Sequence, residues 1–186
     1  MKLNIIHLSE RTDRLILLEQ ELIIQGIQDY QIWEGRRELN PITAISKAHK
    51  SLVRYAIALN LPSVLIAEDD VHFTAPGAFD HFLRNRPKDF DLYLGGIIYG
   101  KINADYRVFD FSGTMLYMIH QRFYKTFLST PENQHLDRAQ ANRGEFVVCY
   151  PMAAIQHNGF SDNSKRFFDY EPYLRDKELF SGMPDL

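Results

Sequence analysis

Three consecutive carboxylate residues, Glu68, Asp69 and Asp70, directly follow an apolar run at positions 64–67. The run is short and is preceded by Pro62, a pattern that predicts a buried strand in the centre of a parallel sheet. Adjacent carboxylates repel one another, so a cluster at a core strand end indicates that a cation or a proton-transfer task offsets the repulsion. Ligands of open α/β sheets bind beyond the carboxyl ends of the strands. The sequence therefore predicts a functional site at this strand end, and a solvated acidic turn is the alternative.

Carboxylate oxygens are the ligands that Mg²⁺ and Mn²⁺ prefer, and such ions commonly bridge a protein to substrate phosphates. Asp70 is the predicted metal ligand, supported by Glu68 or Asp69. The same residues would suit a metal-dependent phosphohydrolase or nucleotidyltransferase. A catalytically silent nucleotide- or glycan-binding domain is a further alternative.

The elements that would position these carboxylates begin at the amino terminus. Residues 3–8 predict a strand, and a polar segment with Arg11 and Arg14 leads into a helix that ends at Gly26. A strand, a polar loop and a helix form the unit of nucleotide-binding sheets, although the glycine-rich phosphate fingerprint is missing here. The two arginines either face a phosphate or base at the strand end or are ordinary surface charge.

A second helix is predicted from Asn40 to about position 59, because Asn40 is a good N-cap and Pro41 suits the first helical position. Its apolar stripe includes His49, which is either a hydrogen-bonded core residue or a ligand. The later elements are predicted as a helix at 78–83, a strand at 91–96 that ends in two glycines, a loop at 97–106, a strand-like segment at 108–119, a helix at 120–128, a helical turn at 137–142 and a strand at 145–150. The tail from position 158 is expected to wrap the domain or cover the site. The fold class is therefore α/β, in one domain over residues 1–186.

The bulk composition excludes several other classes. The net charge of −3 comes from interspersed signs, so neither a nucleic-acid stripe nor a polybasic membrane patch is indicated. Cys149 is the sole cysteine, which excludes an internal disulfide and predicts a buried thiol in a reducing compartment. The sequence contains neither the roughly 20-residue apolar run of a transmembrane segment nor a signal peptide, and we expect a cytoplasmic location.

Several separated segments resemble glycosyltransferase family 25, which includes lipopolysaccharide galactosyltransferases and relatives of the collagen galactosyltransferases. The segment I-I-H-L-S-E-R-T-D-R resembles that family's first strand and R-x-D-R loop, and V-L-I-A-E-D-D-V-H-F resembles its acidic motif. The segment A-I-S-K-A-H-K-S-L resembles its helix with a Ser-His pair, although Ala48 stands before His49 where the family usually has serine. Five further segments follow in the family's order: F-D-L-Y-L-G-G, S-G-T-M-L-Y-M-I, H-L-D-R, Y-P-M-A-A-I-Q and S-D-N.

The resemblance implies a GT-A-like fold with a mostly parallel central sheet flanked by helices. It also implies a metal-dependent, inverting transfer of a hexose from a UDP-sugar to a saccharide or other hydroxyl acceptor in lipopolysaccharide biosynthesis. Galactose is the expected hexose, and Mn²⁺ or Mg²⁺ is the expected cofactor. Arg11, Arg14, His49 and Glu68 would then contact the bound donor and its cofactor, while Asp69 would be catalytic.

Two residues later in the chain complete the predicted site. Asp137 matches the family's late acidic segment and is the predicted base for the acceptor hydroxyl, with a helix N-cap as the alternative. His157 follows the strand-like end 153–156 and is predicted to join Asp70 in the metal shell. An imidazole ligand would favour Mn²⁺ over Mg²⁺, and an ordinary turn residue is the alternative.

Overall fold

The computed structural model describes residues 1–182, so positions 183–186 of the predicted domain lie outside the described residues. In chain order the elements are β1 (Leu3–His7), α1 (Thr12–Ile24), β2 (Tyr30–Glu34), α2 (Pro41–Ala58), β3 (Ser63–Glu68), β4 (Val71–Phe73), α3 (Ala78–Arg84), β5 (Leu92–Leu94), β6 (Arg107–Val108), β7 (Leu116–His120), α4 (Tyr124–Leu128), β8 (Phe146–Val148), β9 (Ala154–Gln156), β10 (Gly159–Ser161), β11 (Arg166–Phe168) and α5 (Glu171–Leu174). Single 3₁₀ turns lie at Gln121–Phe123 and Arg138–Gln140.

The central sheet has seven strands in the order β2-β1-β3-β7-β5-β8-β6. Strands β1, β2 and β3 pair in parallel, as do β5 and β8, whereas β7 and β6 run antiparallel to their neighbours. Two short antiparallel ribbons, β4–β9 and β10–β11, lie outside this sheet. The mostly parallel α/β sheet predicted from the sequence is therefore confirmed.

Strand β3 is buried on both faces, as its unbroken apolar sequence predicted. Leu65 and Ala67 pack in a core cluster with residues of α1, whereas Val64 and Ile66 pack in a second cluster with residues of α2. Successive side chains of a strand point to opposite faces, so this strand needs apolar residues at every position. Asp69 and Asp70 directly follow β3 in the chain. They therefore lie at the carboxyl-terminal end of this central strand.

The start of α2 follows its sequence signals. The Asn40 side chain accepts a hydrogen bond from the Ile42 backbone N–H at 2.9 Å, and Pro41 is the first helical residue. Leu52 and Val53 are buried against the sheet, but Ile42 and Ile45 are partly exposed and line a cleft. The first turns of α2 therefore contribute to a site rather than to the core.

The segment 108–119 differs from the prediction, because it is not one strand. Strand β6 ends at Val108, and β7 begins only at Leu116. The residues between them form an irregular segment with a single bridge between Tyr99 and Ser112, and Gly113 has a φ of 116° that other residues rarely adopt. This break turns the segment back, so that β7 lies in the middle of the sheet and β6 at its edge.

The glycine pair after β5 permits a close backbone approach. The Gly95 carbonyl accepts hydrogen bonds from the backbone N–H groups of Ala153 and Ala154 at 2.8 and 3.0 Å. A side chain on Gly96 would overlap the carbonyl oxygen of Ala154. Glycine at position 96 is therefore required to join the end of β5 to β9.

Cys149 is a buried free thiol, as predicted, and burial raises its pKa to about 11. Within residues 1–182, every helix is too short or too polar to cross a lipid bilayer.

Candidate functional site

A cleft of about 390 Å³ opens at the carboxyl-terminal ends of β1 and β3. This volume falls within the range of small-molecule binding sites. Charged and polar residues of its wall include Arg14, His49, Glu68, Asp69, Asp70, Asp137 and Gln156. The cleft therefore brings together six of the predicted site residues: Arg14, His49, Glu68, Asp69, Asp70 and Asp137.

Asp69 and Asp70 are buried at the cleft and share one arginine. Arg14 Nη1 lies 2.7 Å from Asp69 Oδ1 and 3.0 Å from Asp70 Oδ2. His7 Nδ1 lies 2.9 Å from Asp69 Oδ2, and Gln156 Nε2 donates to Asp70 Oδ2 at 2.7 Å. Burial raises the pKa of Asp70, although the nearby Arg14 opposes this effect. Arg14 thus neutralises part of the acidic cluster that the sequence placed at this strand end.

One carboxylate oxygen of this acidic cluster has no hydrogen-bond partner within residues 1–182. Asp70 Oδ1 is buried and has no hydrogen-bond partner among the described residues. An unsatisfied carboxylate oxygen in a buried position is costly unless a cation or a proton is bound to it. Asp70 therefore fits the predicted role of metal ligand by its chemistry.

Glu68 lies beside a buried histidine on the opposite wall. It accepts a hydrogen bond from the Thr114 hydroxyl, and its Oε1 is 3.5 Å from His49 Nε2. Burial, together with the negative charge of Asp70, raises the pKa of Glu68 to about 8. The other ring nitrogen, His49 Nδ1, lies 2.5 Å from the Tyr117 hydroxyl, and burial lowers the pKa of His49 to about 3. His49 is therefore a neutral, hydrogen-bonded core residue that also lines the cleft.

Arg11 lies away from the carboxylates of the cleft. Its guanidinium pairs with Asp13 at 2.8 Å and with Asp162, and these bonds raise its pKa. Arg11 and Arg14 both contact the Phe160 carbonyl oxygen, at 3.4 and 3.1 Å. The two arginines therefore hold the β10–β11 hairpin against the start of α1. Residues 161–164 of the tail also line the cleft, which agrees with the expectation that the tail covers the site.

Asp137 faces the same cleft from the segment before the Arg138–Gln140 turn. Its Oδ1 accepts from the Arg138 backbone N–H at 2.7 Å, and its Oδ2 accepts from the Gly113 N–H at 3.1 Å. Asp137 is therefore an N-cap, which was the alternative to a catalytic role. Because Asp137 also lies in the wall of the cleft, its role as the base for the acceptor hydroxyl stays a prediction.

His157 is not among the residues that line the cleft. Its backbone N–H donates to the Asp70 carbonyl at 2.8 Å, but its side-chain Nε2 lies 3.4 Å from Glu21 Oε1. The structure thus places this imidazole beside α1 and His72, not among the carboxylates of the cleft. Its shared coordination with Asp70 stays a prediction.

Sequence reasoning missed several polar residues of the site. His7 ends β1 next to the acidic strand end, and its position as the last polar residue of a predicted strand could have identified it. Thr114 and Gln156 carry no local signal, because the β3–β7 and β4–β9 pairings that bring them close are non-local.

A second groove adjoins the cleft and is rich in exposed aromatic rings. Ile98, Tyr99 and Tyr173 line both depressions, and Phe109 lines the second. The Arg138 guanidinium stacks over the Tyr99 ring at 4.5 Å from its centroid. The cleft therefore continues into an aromatic surface on the side where Asp137 lies.

A scan of protein-family models found no match, and a search of curated proteins found no related sequence. Solved structures do match. A glycosyltransferase involved in the glycosylation of the major capsid of PBCV-1 has 14% identity over 88% of this chain and 95% of its own, with a TM-score of 0.51. A Drosophila β-1,4-galactosyltransferase 7 mutant in complex with manganese, UDP-Gal and xylobiose has 11% identity over 97% of this chain and 82% of its own, with a TM-score of 0.48. The inositol-1-phosphate CTP transferase from T. maritima has 11% identity over 80% of this chain and 84% of its own, also with a TM-score of 0.48.

The first of these likenesses, with a TM-score above 0.5, is a likeness of fold over most of both chains. The chain therefore has a GT-A-like α/β fold, as predicted.

Proposed function

We propose that the protein is a metal-dependent, inverting glycosyltransferase that moves a hexose from a UDP-sugar to a hydroxyl of a saccharide. The observation that carries this proposal is the cleft itself. Asp69 and Asp70 lie at the end of β3 on one wall, and Asp137 lies in another part of the wall of the same cavity. An inverting transfer needs such an arrangement, because the leaving diphosphate and the attacking hydroxyl must be served from different sides of the sugar. Galactose is proposed as the hexose from the resemblance to family 25.

The acidic residues fit a divalent ion by charge as well as by ligand type. A bound cation would favour the ionised form of Glu68 in spite of its raised pKa, and Glu68, Asp69 and Asp70 would then carry three negative charges. Arg14 supplies one positive charge within 3.0 Å of Asp70. A divalent cation balances the remainder, and Asp70 Oδ1 is a buried oxygen ready to bind it. Asp70 would hold Mn²⁺ or Mg²⁺, with Asp69 or Glu68 in support. When bound, the ion would neutralise charge on the departing diphosphate.

The protein's own residues account for the rest of the proposed reaction. Arg14 positions Asp69 and Asp70 through its paired contacts, and Arg11 holds the β10–β11 hairpin beside them. His49 is neutral and faces Glu68 without adding positive charge to the cleft. Asp137 is proposed to accept the proton of the acceptor hydroxyl as the new bond forms.

The acceptor would bind on the aromatic groove that continues from the cleft. Tyr99 and Tyr173 are half exposed and line both depressions. Aromatic rings with a polar edge present flat apolar faces together with hydrogen-bonding groups, as a sugar ring requires. A saccharide on these rings would present a hydroxyl on the Asp137 side of the cleft.

The proposal is tested by analysing products rather than donor loss alone. The purified protein is incubated with UDP-galactose, UDP-glucose, GDP-mannose or CMP-sialic acid, with a panel of p-nitrophenyl glycosides, in Mn²⁺ or in EDTA. We expect UDP release and a glycosylated product of inverted anomeric configuration, with UDP-galactose as the best donor and no reaction in EDTA.

The same assay separates the competing classes. Release of UMP and hexose 1-phosphate from the donor, without a glycoside product, would indicate a phosphohydrolase. In a parallel incubation with UTP and a hexose 1-phosphate, release of pyrophosphate would indicate a nucleotidyltransferase. Binding of UDP without any turnover would indicate a silent binding domain. Each of these outcomes contradicts the proposed transfer.

A further inference from the structure

A second cluster of ligand-type side chains lies next to the cleft but outside its wall. Glu21 of α1, His72 of β4 and His157, which follows β9, place a carboxylate oxygen and two imidazole nitrogens within 4.8 Å of one another. Glu21 Oε1 is 2.5 Å from His72 Nδ1 and 3.4 Å from His157 Nε2. The two imidazole rings are 4.4 Å apart between centroids.

The fold assembles this cluster from three distant parts of the chain. Strands β4 and β9 pair antiparallel, with His72 opposite Ile155, and this pairing brings His157 beside His72. The His157 backbone N–H is fixed to the Asp70 carbonyl at 2.8 Å, and α1 packs against β4. The three side chains therefore converge because of the tertiary structure, not because of local sequence.

The surroundings of Glu21 orient it as a ligand. The residue is only 6% exposed, and its Oε2 accepts a hydrogen bond from the Phe73 backbone N–H at 3.1 Å. This bond leaves Oε1 facing both imidazoles, as supporting hydrogen bonds commonly orient the carboxylates that bind metals. Burial alone would raise the pKa of Glu21, but the neighbouring imidazoles of His157 and His72 outweigh burial and lower the pKa to about 2.

One atom of the cluster lacks a partner. His157 Nε2 is buried and makes no hydrogen bond with any described residue. This buried ring nitrogen lies 3.4 Å from a carboxylate oxygen without bonding to it, a separation at which one ion can bind both atoms. The His72 side chain is 42% exposed, so that an ion can reach the cluster from solvent.

The geometry points to a zinc site formed by Glu21, His72 and His157, separate from the acidic cleft. Two imidazoles and one carboxylate are a typical ligand set for Zn²⁺, with water as the fourth ligand. Zinc–ligand bonds of about 2.0–2.1 Å imply a separation of roughly 3.3 Å between tetrahedral ligand atoms. The Glu21–His157 separation of 3.4 Å already matches, and the Glu21–His72 hydrogen bond at 2.5 Å would open by under about 1 Å.

Bound zinc would join α1 to the β4–β9 ribbon at a point remote in sequence. Metal-binding free energy adds to the stability of the folded chain, because the unfolded chain does not hold the three ligands together. Zinc would therefore stabilise the fold, and the ion would take no part in the proposed sugar transfer.

The test uses the whole protein after chelation and removal of the chelator. Zn²⁺ is titrated by calorimetry, Co²⁺ is titrated by visible absorption, and thermal melting is recorded with Zn²⁺, Mg²⁺ or no metal. We expect one Zn²⁺ bound per chain and an increase of about 5–10 °C in Tm at 100 times the Kd. Co²⁺ should show the intense visible bands of a tetrahedral site with nitrogen ligands, and Mg²⁺ should not displace it.

Two variants and a matched control locate the site. H72Q and H157Q should each lose the Tm increase and weaken Zn²⁺ binding by at least tenfold, while H120Q, in which the substituted residue lies at the end of β7, should bind Zn²⁺ like the wild type. D70N should also keep its Zn²⁺ affinity, because Asp70 belongs to the cleft. Absence of Zn²⁺ binding by the wild-type protein, or unchanged binding in folded H72Q and H157Q, would overturn the inference. Loss of sugar transfer in every assay would leave it standing.

Discussion

The acidic cleft and the Glu21–His72–His157 cluster both adjoin the β4–β9 ribbon but offer different atoms to a cation. In the cleft, the acidic cluster of Glu68, Asp69 and Asp70 presents carboxylate oxygens, and Arg14 already balances part of their charge. The second cluster presents two imidazole nitrogens and one oxygen, and no Lys or Arg pairs with Glu21 among the described ion pairs. Oxygen ligands suit Mg²⁺ or Mn²⁺, whereas mixed nitrogen and oxygen ligands suit Zn²⁺. The two proposed sites would thus select different metals through ligand chemistry alone.

Among the variants that distinguish the cleft from the zinc cluster, D137N is expected to have the largest effect, which is a loss of sugar-transfer rate. Loss of the proposed base should lower kcat for transfer by about 10²–10⁴-fold, since general base catalysis contributes that much. The amide keeps the size of the side chain, so donor affinity and zinc binding should stay within about twofold of the wild type. Steady-state kinetics and calorimetry measure both, and D80N on the exposed face of α3 is the control. Wild-type turnover in D137N would remove Asp137 from the mechanism.

D70N should weaken metal binding in the cleft but leave zinc binding at the second cluster unchanged. We expect Mn²⁺-dependent UDP binding to weaken by more than about 100-fold, because even residues that only support a metal ligand contribute about 10–100-fold. The increase of Tm with Zn²⁺ should persist in this variant. Calorimetry with UDP in Mn²⁺ and in EDTA checks the first expectation. Equal UDP affinity of the wild-type protein under both conditions would contradict a metal role for Asp70.

R14Q should change the Mn²⁺ affinity less than D70N does, and in the opposite direction. Removing a positive charge 3.0 Å from Asp70 should raise Mn²⁺ affinity in the absence of nucleotide by about tenfold or more. The variant should also melt at a lower temperature without metal, since Asp69 and Asp70 lose their shared partner, and Mn²⁺ should restore part of the difference. R11Q is the matched control, because Arg11 pairs with Asp13 and Asp162 instead. A fall in Mn²⁺ affinity in R14Q would show that Arg14 supports the ion rather than competing with it.

N40A is expected to lower the stability of the fold without changing either metal site. Removing the N-cap of α2 should lower the free energy of unfolding by about 1 kcal/mol. Chemical denaturation measures this change, and N40D should retain most of the stability because aspartate also caps well. A change in Mn²⁺ or Zn²⁺ affinity in N40A would show that α2 is coupled to the metals.

The sequence predicted the elements that have strong local signals. The apolar run of β3 followed by Glu68, and the Asn40-Pro41 start of α2, lie where the pattern placed them. Both signals depend on a few adjacent residues, namely an unbroken buried strand and a side-chain cap. The position of the acidic site follows directly, because the end of a central strand determines where its next residues emerge.

The parts that sequence reasoning missed depend on non-local pairing. Strands β4 and β9 have three residues each, too few for any periodic pattern, and their pairing joins positions far apart in the chain. The placement of His157 beside Glu21 follows from that ribbon. One signal was available: Glu21 lies on the buried stripe of α1 next to Leu22, and a carboxylate on an apolar face requires a polar partner.

The contact between Gly96 and the Ala154 carbonyl has a consequence for finding relatives of this protein. The identity to the solved glycosyltransferase of similar fold is only 14%, so whole-sequence similarity carries little information at this level. The steric requirement at position 96 does not fade in the same way, because any side chain there would push the ends of β5 and β9 apart. A glycine pair ending a short apolar strand, spaced after an acidic strand end as Gly95 and Gly96 are, is therefore a marker that divergent homologues should retain.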